Sequence, residues 1–201
     1  MHNNILVSTA YLPPVSFFSA CKGYQKILIE HEENYIKQSY RNRCYILSAN
    51  GPMFLSVPVL LGSFHKTVVK DIRIDCSRRW QQVHTGALIS AYRSSPFFQY
   101  YFDEIEKIIS GKHEFLIDMN QRLIELISRH IGIRAATCFT NSFEPAENKP
   151  YDFRYLISPK ITDTRAYRQY TQVFSSRYGF VPGLSIVDLL FNTGPDAGLY
   201  L

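Results

Sequence analysis

The chain has 201 residues, with 22 Lys or Arg against 17 Asp or Glu, so its formal charge is 22 − 17 = +5. Hydrophobic residues make up 46% and include 14 Phe and 14 Tyr, which supplies a core for one domain over residues 1–201 and excludes an intrinsically disordered chain. No apolar run approaches the ~20 residues of a membrane-spanning helix, and Met1-His2-Asn3-Asn4 has no basic signal-peptide start, so a cytoplasmic protein is expected.

Ile5-Leu6-Val7-Ser8 reads as a short buried strand. Pro13-Pro14 punctuates the chain, Val15 to Cys21 suits one short helix ended by Gly23, and Lys26 to Glu30 reads as a second strand. Strand, helix, strand predicts a parallel βαβ-like opening to an α/β fold, three-layer-like, with a mixed sheet and several packed helices. Glu30-His31-Glu32-Glu33 offers metal-ligand types. Side chains alternate at a strand end, so all four cannot converge, and the run reads as solvated charge with no metal.

Asn50-Gly51 lies between two alternating runs and predicts a hairpin over Arg41 to Leu60. With Asn50-Gly51 as the turn, Ile46 faces Leu55, Cys44 faces Val57 and Ser48 faces Met53 on the core side. The opposite face then carries Arg41, Arg43, Tyr45 and Ser56. Pro58 ends the second strand or marks an edge. Val68 to Ile74 alternates apolar and charged residues and reads as a further strand.

Trp80 to Tyr92 is helical by pattern, with Trp80, Val83, His84, Ala87, Leu88 and Ala91 in one stripe. Ser95 and Pro96 suit the N-cap and first position of a second helix with Phe97, Phe98, Tyr101, Ile105 and Ile108 inward, ending near Gly111. A third helix runs to His130 with Leu116, Leu123, Ile124 and Ile127 inward, closed by Gly132. A strand over 134–140, a polar loop over 141–150 and a helix over 165–178 follow. Ser185-Ile186-Val187-Asp188 then resembles a capping box, with Leu184 and Leu189 placed as a staple. Cys21, Cys44, Cys76 and Cys138 show no two-residue spacing and read as reduced thiols in apolar surroundings.

Chemistry concentrates before the hairpin, where Tyr35, Lys37, Arg41, Asn42 and Arg43 follow one another closely. Two guanidiniums on one strand face grip one phosphate or carboxylate, while Lys supplies a point charge or a proton. The competing reading is a solvated edge strand whose arginines pair with Glu30, Glu32 or Glu33. His84 likewise has two readings: a hydrogen-bonded core histidine, or a general base near neutrality in a pocket walled by Trp80. No Gly-rich phosphate loop, Walker sequence or G-x-G-x-x-G appears, which leaves any cofactor unknown. A pI of ≈ 9.0 raises nucleic acid as a partner. Asp71, Asp75 and Glu104 interleave with the basic residues, however, and no RNP1-like, zinc-finger or helix-turn-helix pattern appears, so that partner is set aside.

These residues carry a resemblance. Ala10-Tyr11-Leu12-Pro13, the run from Tyr35 to Arg43, Gly51 with Ser56-Val57-Pro58, Trp80-Gln81-Gln82-Val83-His84, Ser95-Pro96-Phe97-Phe98 and the ending from Gly179 to Asn192 together resemble the WbqC-like family across nearly the whole chain. The resemblance implies a bacterial protein of O-antigen or other surface-polysaccharide synthesis, with aminoacyl (glycine) or acyl transfer to an amino sugar as the suggested activity. It also implies a substrate that is an anionic small molecule, such as a nucleotide-linked amino sugar. Arg41 and Arg43 are expected to hold its phosphate or carboxylate, with Tyr35, Asn42 and Trp80 alongside. His84 is expected to deprotonate the acceptor and Lys37 to stabilise developing negative charge. A non-catalytic module binding sugar nucleotides or partner proteins is the alternative.

Overall fold

The computed structural model describes residues 3–60, 66–146, 150–161 and 167–201. Strand β1 (Asn4–Ser8), helix α1 (Val15–Cys21) and strand β2 (Lys26–Glu30) form the opening unit. The two strands pair in parallel from Asn4 opposite Lys26 to Ser8 opposite Glu30. Alternation buries Ile5, Val7, Ile27 and Ile29 against Phe17 and Phe18 of α1. Gly23, at φ +89°, turns the chain from α1 into β2 through a conformation that side chains resist.

Strands β3 (Arg43–Ser48) and β4 (Gly51–Ser56) form the hairpin, but the turn is Ala49-Asn50 and Ser48 faces Gly51. Ser48 Oγ donates to Gly51 O at 2.8 Å and accepts from Asn50 N, while the side chains of Arg177 and Tyr178 both donate to Ala49 O. These bonds favour the earlier turn. The register therefore differs by two residues from the Asn50-Gly51 expectation. A two-residue shift preserves faces, so Cys44, Ile46, Leu55 and Val57 remain in the core.

Strands β5 (Val59–Leu60) and β6 (Arg73–Ile74) make a second, two-residue antiparallel pair. The strand expected over 68–74 is instead a 3-10 turn at Val69–Asp71 followed by β6. The backbone N–H groups of Val69 and Lys70 donate to the carbonyls of Glu33 and His31, which draws them away from any ladder.

Helices α2 (Trp80–Tyr92), α3 (Phe98–Ile109) and α4 (Leu116–His130) follow. In α2, Val83 is exposed, and Thr85 and Tyr92 are buried beside Trp80, His84, Leu88 and Ala91. Ser95 does not cap α3. Its hydroxyl donates back to Tyr92 O at 2.6 Å, and the stripe of α3 centres on Phe102, Ile105 and Ile109. Strand β7 (Ala136–Phe139) joins β2 in parallel, giving the order β1-β2-β7, and the backbone of Tyr151 and Phe153 extends the β1 edge through Leu6.

The α/β class holds, with a refinement. Parallel and antiparallel strands lie in three separate sheets rather than one mixed sheet. The face of the parallel sheet bearing Asn4, Leu6, Lys26, Leu28 and Cys138 is exposed or only half-buried, so among the described residues the covering layer lies on the other side.

The helix expected over 165–178 falls partly outside the described residues. Within 167–178 only α5 (Ser175–Tyr178) is helical. Gln172 instead exchanges hydrogen bonds with the backbone of Val181 and donates to Asp188. Helix α6 (Ile186–Thr193) is capped by Ser185, whose Oγ accepts from Val187 N. The reciprocal half of the box is missing, because Asp188 turns its carboxylate to Tyr170 and Gln172. Ser185 N donates to Tyr45 O and Ile186 N to Pro13 O, so α6 closes the core over both the opening unit and the hairpin. All four cysteines are free. Cys21 and Cys44 are buried, whereas Cys76 is exposed, against the core reading. Among the described residues no helix is long and apolar enough to cross a membrane.

Candidate functional site

The parallel strands end together at Ser8, Glu30 and Phe139, the edge where open α/β sheets place ligands. A buried polar cluster fills this edge. Arg41 Nε donates to Glu33 Oε1 at 2.9 Å, and Arg41 Nη2 donates both to that oxygen and to Ser8 Oγ. Arg154 grips Asp152 through Nε and Nη2, at 3.0 and 2.7 Å, and reaches Glu30 Oε2 at 2.9 Å through Nη1. Thr140 Oγ1 donates to Glu30 Oε1, and Asn120 Nδ2 fastens the Arg41 carbonyl to α4 at 2.8 Å. A small cleft between the two arginines is walled by Ser8, Thr9, Tyr40 and Phe153.

Among the described residues three buried carboxylates (Glu30, Glu33, Asp152) face two guanidiniums (Arg41, Arg154), so these groups carry 2 − 3 = −1 with all of them ionised. Glu33 is 2% exposed, and its Oε2 is buried with no hydrogen-bond partner among the described residues, the Tyr155 phenol being a neighbour of the carboxylate. The Tyr155 phenol titrates above its ordinary value, chiefly through burial and next through the Glu33 carboxylate. The Asp152 hydrogen bonds raise the Arg154 pKa. Phe143 and Tyr155 flank that guanidinium at 5.4 and 5.7 Å.

The residues singled out from the sequence are distributed over this edge and its neighbourhood. Arg41 and Arg43 do not share a strand face: Arg41 lies in the turn before β3, and its fork is taken by Glu33 and Ser8. The competing reading, a pair with Glu33, describes Arg41. Arg43 stands on β3 with its guanidinium 5.0 Å from the Phe54 ring centroid. Tyr35 lies within electrostatic reach of both arginines, yet burial pushes its pKa up to about 12. Asn42 donates to Val57 O at 2.8 Å and secures the exit of the hairpin. Lys37 is exposed in a turn.

His84 is buried between Trp80, whose ring meets it edge-on at 5.1 Å, and Tyr11, whose hydroxyl lies 2.9 Å from Nδ1. Burial pushes its pKa down to about 4, against an upward pull from a hydrogen bond to the Ser56 backbone. The imidazole is therefore neutral at pH 7 and ties α2 to the loop after β1 and to the end of β4. Among the described residues, no group of three or more His, Cys, Asp and Glu is placed to hold a metal ion.

Sequence reasoning missed Glu30 and Glu33 as buried groups and missed Asp152 and Arg154 altogether. The only local signal was an Asp-x-Arg in a loop. Its partner Glu30 lies 124 positions away.

An α/β scaffold whose parallel strands converge on a buried acid–arginine cluster sets the class of protein. The chain belongs to the WbqC-like protein family, whose model matches residues 9–157 and 154–200. It is 27% identical over 226 residues to a Mycobacterium tuberculosis protein described as "Uncharacterized protein Rv1507c", covering 98% of this chain and 96% of that one. No solved structure matches the chain.

Proposed function

We propose that this protein is a cytoplasmic transferase of bacterial surface-polysaccharide (O-antigen type) synthesis. It passes an aminoacyl or acyl group to the amine of a nucleotide-linked amino sugar. The observation that carries the reading is the excess carboxylate of the sheet-edge cluster: a buried charge of −1 is costly until a cation balances it, and a protonated amine is such a cation. Residues 1–201 act as one unit in this reading.

In the reaction, the bound ammonium first gives one proton to Glu33, and the freed lone pair of the nitrogen bonds to the carbonyl carbon of an activated acyl or aminoacyl donor. The bond from that carbon to the leaving group breaks, the electron pair leaves with the group, and the second proton of the nitrogen leaves with it. Glu33 receives the amine proton on Oε2, with Arg41 and Ser8 holding the carboxylate in place through Oε1. His84, a weak base whose Nδ1 faces Tyr11, serves as a positioning residue, and Arg43 is the cation available to the anionic part of the substrate. Lys37 lies outside the reacting centre in this reading.

The test incubates the purified chain with a nucleotide-linked amino sugar and activated glycine or acyl donors, with mass spectrometry of the N-acylated sugar. Glu33→Gln keeps the shape of the side chain and is expected to slow product formation by roughly 10²–10⁴-fold, the ordinary contribution of a general base. Tight binding of the sugar nucleotide without product from any donor favours the non-catalytic module instead. The internal pairing of Arg41 and Arg154 speaks for that second reading.

A further inference from the structure

A second concavity lies away from the acid–arginine cluster. It is a groove of about 370 Å³ between the outer edge of β4 and the start of α2, walled by Phe54, Ser56, Arg78, Arg79, Trp80 and Val83. Its chemistry is unlike that of the sheet edge. Arg78 and Arg79 are exposed, and among the described residues neither lies within ion-pair distance of a carboxylate. The carboxylate that senses Arg78 is Asp75, whose Oδ1 is already turned to the Ser77 backbone at 2.9 Å. Arg43, which does not line the groove, stands behind it with its guanidinium 5.0 Å from the Phe54 ring centroid and has no carboxylate within ion-pair distance among the described residues.

The backbone contributes as well. Helix α2 is thirteen residues long, no side chain caps its N-terminus, and its first turn holds no acidic residue. Its first intrahelical bond runs from Val83 N to Arg79 O, which leaves the N–H groups of Trp80, Gln81 and Gln82 ahead of the ladder. Trp80 is 6% exposed, and its indole Nε1–H is buried with no acceptor among the described residues. Most buried donors in folded proteins have a partner. Beside these donors, Phe54 at 54% and Val83 at 63% exposure leave apolar surface open to solvent.

We propose that this groove binds the diphosphate of a nucleotide, with Arg78, Arg79 and the free N–H groups of α2 on the phosphates and the Phe54 face under the base. Guanidinium forks and a helix N-terminus recognise phosphate oxygens. The aromatic face beside them suits a planar ring. The ligand's identity as part of a sugar nucleotide rests on the transferase reading, whereas recognition of a nucleoside diphosphate does not.

Isothermal titration of the full chain with UDP and, separately, with inorganic pyrophosphate tests the site. The variants are Arg78→Ala/Arg79→Ala, Phe54→Ala, and Arg129→Ala as an exposed cation elsewhere. Both ligands are expected to bind wild type, more weakly as salt rises, and to lose tenfold or more in affinity in the double variant. Phe54→Ala is expected to weaken UDP severalfold and leave pyrophosphate unchanged, and Arg129→Ala to change neither. An unchanged melting temperature in the double variant shows that it folds.

Absence of binding to wild type, or binding of UDP that ignores the double variant, overturns the site. In the second case the transferase keeps its substrate class. Pyrophosphate binding without UDP binding overturns the nucleotide assignment. UDP lost in the double variant, with no acyl transfer under any donor, leaves the site standing and removes the transferase.

Discussion

Two groups of arginines divide this molecule. At the edge of the parallel sheet, Arg41 and Arg154 are buried and each is paired with a buried carboxylate. At the groove beside α2, Arg78 and Arg79 are exposed and have no carboxylate within ion-pair distance among the described residues. The difference follows from solvent. A guanidinium removed from water must be neutralised on the spot, so its pairing reports the fold, whereas one left in water keeps its donors for a ligand. Charge pattern along a chain does not separate the two kinds. Burial does.

That division can be broken by mutation. Arg154→Ala leaves Glu30 and Asp152 buried without their cation, and the expected loss is roughly 3–5 kcal/mol, read from urea denaturation. A loss under 1 kcal/mol would mean that the cluster is hydrated in solution. His84 sharpens the comparison next, as a buried polar group without charge. Its pKa of about 4 lies below the ordinary 6.5, so the unfolded chain binds the proton more readily. The corresponding stability, roughly 3 kcal/mol, is present above pH 6.5 and is lost as pH falls toward 4. His84→Phe should flatten that slope in a pH series of denaturation curves, and an unchanged slope would assign it to other groups. The smallest effect belongs to the exposed side. Arg78→Ala and Arg79→Ala should each change stability by no more than about 0.5 kcal/mol, and a larger cost in the same denaturation assay would place those side chains in the fold rather than at a ligand.

Local pattern was enough for α1, β2 and α2, whose limits follow from Pro14, from Gly23 and from the apolar run of Trp80 to Tyr92. It also located the core face of the hairpin, since a register error of two residues cannot turn a strand over. What sequence could not supply was the competition for hydrogen bonds. Ser95 had a better acceptor behind it at Tyr92 O than ahead in α3, and the backbone at 69–70 was claimed by the loop at 31–33. The same applies to the site. Glu33 and Arg41 stood eight residues apart in plain view, with their pairing left as one alternative, but Arg154 reaches Glu30 only through the final geometry of the sheet edge. Asp188 shows the limit most clearly: it occupies the last position of a capping box and spends its carboxylate elsewhere.

The seating of α6 has a consequence for the life of the chain before it is complete. Pro13, Leu12 and Tyr45 near the amino terminus wait for Ser185 and Ile186 to occupy their carbonyls, and Lys22 reaches the carbonyls of Gly198 and Leu201. A nascent polypeptide on the ribosome therefore has its first strands in hand long before the segment that seals them. Until residues 185–191 have emerged, the apolar surface that Phe191 and its neighbours will cover stays open to chaperones and to aggregation.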